Sequence, residues 1–93
     1  MKVIITGATG FVGKNLSEYL NSTSINVESL SLRDKEWRKQ IDQYADAIVH
    51  LAGKAHDTSN TSEEKEYFKI NTDLTFELFN EFLKSDIKYF FLL

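Results

Sequence analysis

Three of the chain's four glycines fall at positions 7, 10 and 13, inside the stretch VIITGATGFVGKNL. They follow the apolar run Lys2–Thr6 and open a run in which Val12, Leu16, Tyr19 and Leu20 form a helical stripe. This spacing predicts a tight turn from a strand into a helix. Gly7 lets the chain leave the strand sharply, where a positive φ is cheap only for glycine. Gly13, on the first helical turn, lets the helix pack closely against the sheet.

The same alternation continues to the end of the chain. Apolar runs at Val27–Leu32, Ala47–Leu51 and Lys88–Leu93 predict three further strands. Between them, Trp37, Ile41 and Tyr44 stand at i, i+4 and i+7, which predicts a second helix with Trp37 in the core. A third helix begins near TSEE, where Thr61 and Glu64 match a capping box, and turns Tyr67, Leu74, Leu78 and Phe82 inward. Strands alternating with helices imply right-handed crossovers and an α/β, Rossmann-like parallel sheet with flanking helices. Ninety-three residues make one small domain. The closing run KYFFLL is almost wholly apolar, as in buried central strands of parallel sheets. The expectation is therefore a partial domain over residues 1–93, truncated after its fourth strand, with an exposed apolar edge that invites self-association.

Composition narrows the partners. A net charge of −3 gives no sign of nucleic acid or an anionic membrane as partner. The absence of cysteine removes disulfides and thiolate metal sites and fits a reducing cytoplasm. The apolar start is too short for a signal peptide or a membrane span. No metal site is expected, since His50 reads as the end of a buried strand and one histidine does not make one. His56 and Asp57 could form an acid–base pair, but no serine or cysteine stands nearby in sequence to complete it.

Gly10 bears on ligand chemistry. Without a Cβ it lets a pyrophosphate approach the backbone, while the N–H groups around Phe11 and Val12 point at the anion. A ligand-free turn is the plainer alternative. A P-loop is excluded, because its first glycine would fall at Ala8 and Asn15 replaces the required Ser/Thr. The ribose-recognising residue of a dinucleotide site is expected about 20 residues further on. Arg33 and Asp34 stand 20 and 21 residues after Gly13, and they argue opposite ways. A carboxylate suits the 2′-hydroxyl of NAD, and an arginine suits the 2′-phosphate of NADP. Ser31, where an acid would be looked for first, is not one. The cofactor expected is NAD or NADP.

Together these segments resemble the extended short-chain dehydrogenases/reductases, the NAD(P)-dependent epimerase/dehydratase family. TGATGFVG resembles the family's glycine fingerprint, DAIVHLAGKAH its fourth strand, and YFKINTDLT the helix that carries a family asparagine. The resemblance spans essentially the whole chain. It implies that Leu51, Ala52 and Gly53 lie against the ribose and nicotinamide side of the cofactor. Lys54 could pair with a cofactor or substrate phosphate, or be a solvated loop lysine. Asn71 would hold the backbone of the cofactor site, and it also interrupts the inward stripe of the third helix, where a polar group needs a hydrogen-bond partner. The wording of HLAGKAHD is most similar to bacterial sugar-nucleotide epimerases of surface-polysaccharide pathways. Family chemistry uses a Tyr-x-x-x-Lys pair, but Tyr19, Tyr44, Tyr67 and Tyr89 are followed four residues later by Thr23, Ile48, Asn71 and Leu93. The expectation is the cofactor-binding N-terminal part of a nucleotide-sugar epimerase or dehydratase, with no catalytic residue and with the sugar substrate bound only by a longer protein. A non-catalytic NAD(P) sensor or a gene remnant is the alternative.

Overall fold

The computed structural model describes residues 1–51 and 61–93, the stretch 61–70 as backbone only. Its elements are β1 (Lys2–Thr6), α1 (Phe11–Ser22), β2 (Asn26–Leu30), a 3-10 turn (Trp37–Gln40), β3 (Ala47–His50), α2 (Thr61–Lys84) and β4 (Tyr89–Leu92). The four strands form one parallel sheet in the order β2-β1-β3-β4. Val3 pairs with Val27 on one side and Ala47 on the other, and Ala47 in turn pairs with Tyr89.

The period-2 alternation of the strands divides the core into two layers. Val3, Ile5 and Ala47 point to the α1 face, where Leu16 and Leu20 cover them. Ile4, Leu30 and Ile48 point to the other face, where Trp37, Ala45, Leu78 and Ile87 cover them, with Phe82 and Phe90 at the margin. Lys2 anchors the amino end of the sheet. Its N–H donates to Asp46 Oδ2 at 2.8 Å, and its ammonium lies 2.8 Å from Asp42 and 3.2 Å from Glu28. Those two carboxylates hold the Lys2 pKa above its ordinary value.

Several local expectations need correction. The second helix is only the four-residue 3-10 turn, and Ile41 already has extended backbone (φ −71°, ψ 122°). Aspartate side chains offer the backbone a competing partner. Asp34 Oδ1 accepts the Glu36 N–H at 2.9 Å, and Asp42 Oδ1 accepts the Tyr44 N–H at 2.9 Å. Trp37 is buried as expected, whereas Tyr44 is 81% exposed. In α1 the contact face runs through Gly13, Leu16 and Leu20, and Val12 and Tyr19 stand exposed on its flank. In α2, Leu78 is fully buried, with Leu74 and Phe82 half-buried. The side chains of Thr61, Glu64 and Tyr67 lie outside the described residues. β4, by contrast, stands at the sheet edge with the exposed apolar face expected of the closing run: Tyr89, Phe91, Leu92 and Leu93 are all exposed.

Candidate functional site

The sheet order reverses at β1: the chain steps out to β2 on one side, then crosses to β3 and β4 on the other. In open parallel sheets, ligands bind beyond the carboxyl ends of the strands at such a switch point. A cleft of about 430 Å³ lies there, between the ends of β1, β2 and β3 and the flank of α2. Thr6, Gly7, Ser29, Ser31, Arg33 and Leu51 line it, together with His50, Asn71 and Thr75.

The three glycines are not equivalent. Gly7 has φ +70°, and a Cβ there would lie 3.2 Å from the Leu51 carbonyl oxygen. A Cβ at Gly13 would lie 2.1 Å from the Gly7 carbonyl oxygen and 2.7 Å from Ala8 Cα, contacts no side chain can make. Both positions are dictated by the fold itself. Gly10 is different: its φ of −73° and ψ of 172° suit any residue, and among the described residues a Cβ would meet only the Gly7 carbonyl oxygen, at an ordinary 3.5 Å. Gly10 is the N-cap of α1, no side chain caps this helix end, and its first turn carries no acid. The first backbone N–H groups of a helix have no intrahelical partner, and with the helix dipole they favour an anion. An open, side-chain-free approach to a helix start fits a pyrophosphate.

Beneath the cleft runs a buried hydrogen-bond chain. The Leu51 N–H donates to Thr6 Oγ1 at 3.2 Å, and Thr6 Oγ1 lies 2.6 Å from His50 Nδ1. On the far side of the ring, His50 Nε2 lies 2.8 Å from Thr75 Oγ1, which donates its proton to the Asn71 carbonyl at 2.9 Å. A hydroxyl has one hydrogen. Thr75 has given its own away, so it must accept from His50 Nε2–H. Burial, with only 5% of the residue exposed, lowers the His50 pKa and favours the neutral ring. In that form Nδ1 is the acceptor, Thr6 donates to it, and every bond in the chain has one direction. The signal in sequence was a polar residue closing each of two apolar strands, Thr6 and His50, which face each other in register.

The turn after β2 separates the two candidates for the ribose. The Asp34 N–H donates to the Ser31 carbonyl at 3.2 Å, and Arg33 lines the cleft. Asp34 is absent from the lining: Oδ1 accepts the Glu36 N–H, and Oδ2 accepts the Gln40 amide at 2.8 Å. These two bonds lower the Asp34 pKa. Asn71 lines the cleft half-buried, and its Nδ2 is buried without a hydrogen-bond partner among the described residues. Of the other expected residues, Gly7 and Leu51 also line the cleft. Gly10, Phe11 and Val12 stand exposed at the start of α1, outside the lining, and Gly13 is buried against Gly7. Ala52, Gly53, Lys54, His56 and Asp57 lie outside the described residues. Thr6, Ser29, His50 and Thr75 are among the lining residues that sequence reasoning did not assign to the site.

Sheet order, glycine turn and cleft define a nucleotide-binding α/β protein of the Rossmann type. The chain belongs to the NAD-dependent epimerase/dehydratase family, whose model matches residues 3–93. It is 38% identical over 81 residues to a UDP-2-acetamido-2,6-beta-L-arabino-hexul-4-ose reductase of Pseudomonas aeruginosa, covering 84% of this chain and 20% of that protein. Two solved structures share the fold. One is a short-chain dehydrogenase/reductase superfamily protein from Agrobacterium tumefaciens with bound NAD, with TM-score 0.79 and 17% identity over 99% of this chain and 32% of that one. The other is the UDP-N-acetylglucosamine 4-epimerase of Bacillus cereus, with TM-score 0.64 and 24% identity over 96% of this chain and 36% of that one. The chain therefore spans about a fifth of the curated relative and about a third of each structure. Among the described residues, no helix is long and apolar enough to cross a membrane.

Proposed function

We propose that this chain is the NAD(P)-binding N-terminal part of an enzyme that modifies the sugar of a nucleotide-sugar, in the service of surface-polysaccharide synthesis. The observation that carries the reading is Gly10. The fold does not demand glycine there, so the bare backbone answers to something that approaches it from outside. The pyrophosphate sits on the start of α1, and Arg33 and Leu51 flank the adenosine and nicotinamide arms. Asn71 holds the backbone beside it, and Ala52, Gly53 and Lys54 belong to the same site through their place in HLAGK. The sugar class follows the names of the relatives, of which one is a UDP-sugar reductase and another a UDP-sugar epimerase. When bound, the cofactor supplies hydride exchange with a sugar carbon. The described residues supply its seat.

Gly10→Asp tests the reading. Aspartate is a good N-cap and favours the helix dipole, so the melting temperature holds or rises. Its carboxylate fills and charges the space left for phosphate, so binding of NADH and NADPH, read by their fluorescence, falls at least about tenfold, about 1.4 kcal/mol. Undiminished binding in this variant would place the dinucleotide elsewhere.

A further inference from the structure

We infer that the cleft is built for an adenosine carrying a 2′-phosphate, so that this chain prefers NADP(H) to NAD(H), a preference that rests on the dinucleotide reading above. A free ribose 2′-hydroxyl is recognised by a carboxylate after the second strand, and a 2′-phosphate by a cation. At that point β2 ends in Leu30 and the chain continues with Ser31. Ser29, Ser31 and Arg33 line the cleft, and no aspartate or glutamate is among its described lining residues. Arg33 is the one charged side chain among the described lining residues.

The neighbouring acid is committed elsewhere. Both Asp34 carboxylate oxygens accept hydrogen bonds from within the following turn, at 2.9 Å from Glu36 and 2.8 Å from Gln40. Those bonds tie the carboxylate into the loop, and Asp34 is absent from the described cleft lining. The chain's two arginines also differ. Arg38 is paired with Glu77 at 3.1 Å and stacks 4.5 Å over Trp37, whereas no carboxylate among the described residues pairs with Arg33. A planar guanidinium in a cleft that two serines also line offers a phosphate dianion charge-assisted bonds and several donors. A neutral ribose hydroxyl gains far less from the same group.

The experiment is a fluorescence titration of the chain with NADPH and with NADH, repeated at raised ionic strength. NADPH binds about 10- to 100-fold more tightly, the range of a charge-assisted hydrogen bond. Salt narrows the gap. Arg33→Ala closes it by weakening NADPH alone, Arg33→Lys keeps part of it, and Asp34→Asn leaves NADH affinity unchanged. Arg33 is exposed, and circular dichroism confirms that its variants stay folded. Equal affinity for the two dinucleotides, or an NADH affinity that drops in Asp34→Asn, overturns the preference and leaves the dinucleotide reading standing. A folded chain that binds neither overturns both.

Discussion

The Thr6 hydroxyl lies 2.6 Å from Nδ1 of His50, joining the ends of two adjacent parallel strands at the floor of the cleft. The same oxygen accepts the Leu51 N–H. Thr6→Val keeps the shape and deletes the hydroxyl, leaving an amide and a ring nitrogen buried without partners. The expected loss is about 2–6 kcal/mol, from about 1–3 for each of the two orphaned groups. A lowered urea midpoint with unchanged slope would show it, and Thr6→Ser should recover most of it.

His50 makes the stability of the chain depend on pH. Its folded pKa lies below the unfolded value of 6.5, because burial disfavours the charged ring. The unfolded chain therefore binds the proton first, and stability falls as pH drops. The contribution is complete above about pH 6.5, declines as pH falls from there through the lower folded value, and then levels off. Urea midpoints measured from pH 8 to pH 5 should fall in wild type, and His50→Gln should flatten that part of the curve. Asp34 and Asp42, whose pKa values are lowered by hydrogen bonds, act in a separate window, as pH falls below 3.8.

Gly13→Ala sets backbone against backbone. The new methyl would fall 2.1 Å from the Gly7 carbonyl oxygen, and neither atom belongs to a side chain that can swing away. Helix propensity would favour alanine by about 1 kcal/mol. Overpacking costs about 1–3 kcal/mol and more where backbone must move, so the clash wins. Thermal unfolding should show a net drop of several degrees.

The edge at β4 should make copies of the chain associate. Tyr89 and Phe91 stack with ring centroids 6.3 Å apart on an exposed face, beside an unpaired strand edge. Exposed apolar edges template pairing with another chain. Sedimentation should report concentration-dependent association, and Phe91→Lys should reduce it without lowering the melting temperature.

The strands were legible in the sequence because β-branched apolar runs have few other uses. Val3, Ile4 and Ile5 are all buried, on alternating faces, so an unbroken apolar run is what such a strand requires. The segment from Trp37 to Tyr44 misled because its helical spacing was genuine, yet Asp34 captured the backbone just before it and Asp42 captured it near its end. Side-chain competition of that kind depends on local geometry and leaves no mark in a periodicity. Arg33 and Asp34 were inseparable in sequence because both stand at the expected distance from Gly13, and it is the bonds from Glu36 and Gln40 that hold Asp34 back. The roles of Thr6 and His50 were hidden for another reason. Their pairing spans 44 residues and exists only once β1 and β3 lie side by side.

The bonds that shape the turn after β2 close within residues 31–40, among Ser31, Asp34, Glu36 and Gln40. None of them reaches the glycine turn or the buried threonine–histidine chain. On the proposed reading, the part that would meet the adenosine can therefore change over generations while the frame that would seat the phosphates stays as it is. A descendant could draw on a different pool of reducing equivalents by rewriting two or three exposed positions, and its folding would not register the exchange. Selection on the metabolism of the host, acting at residues 31 and 33, is free of the constraints that fix residues 7 and 13.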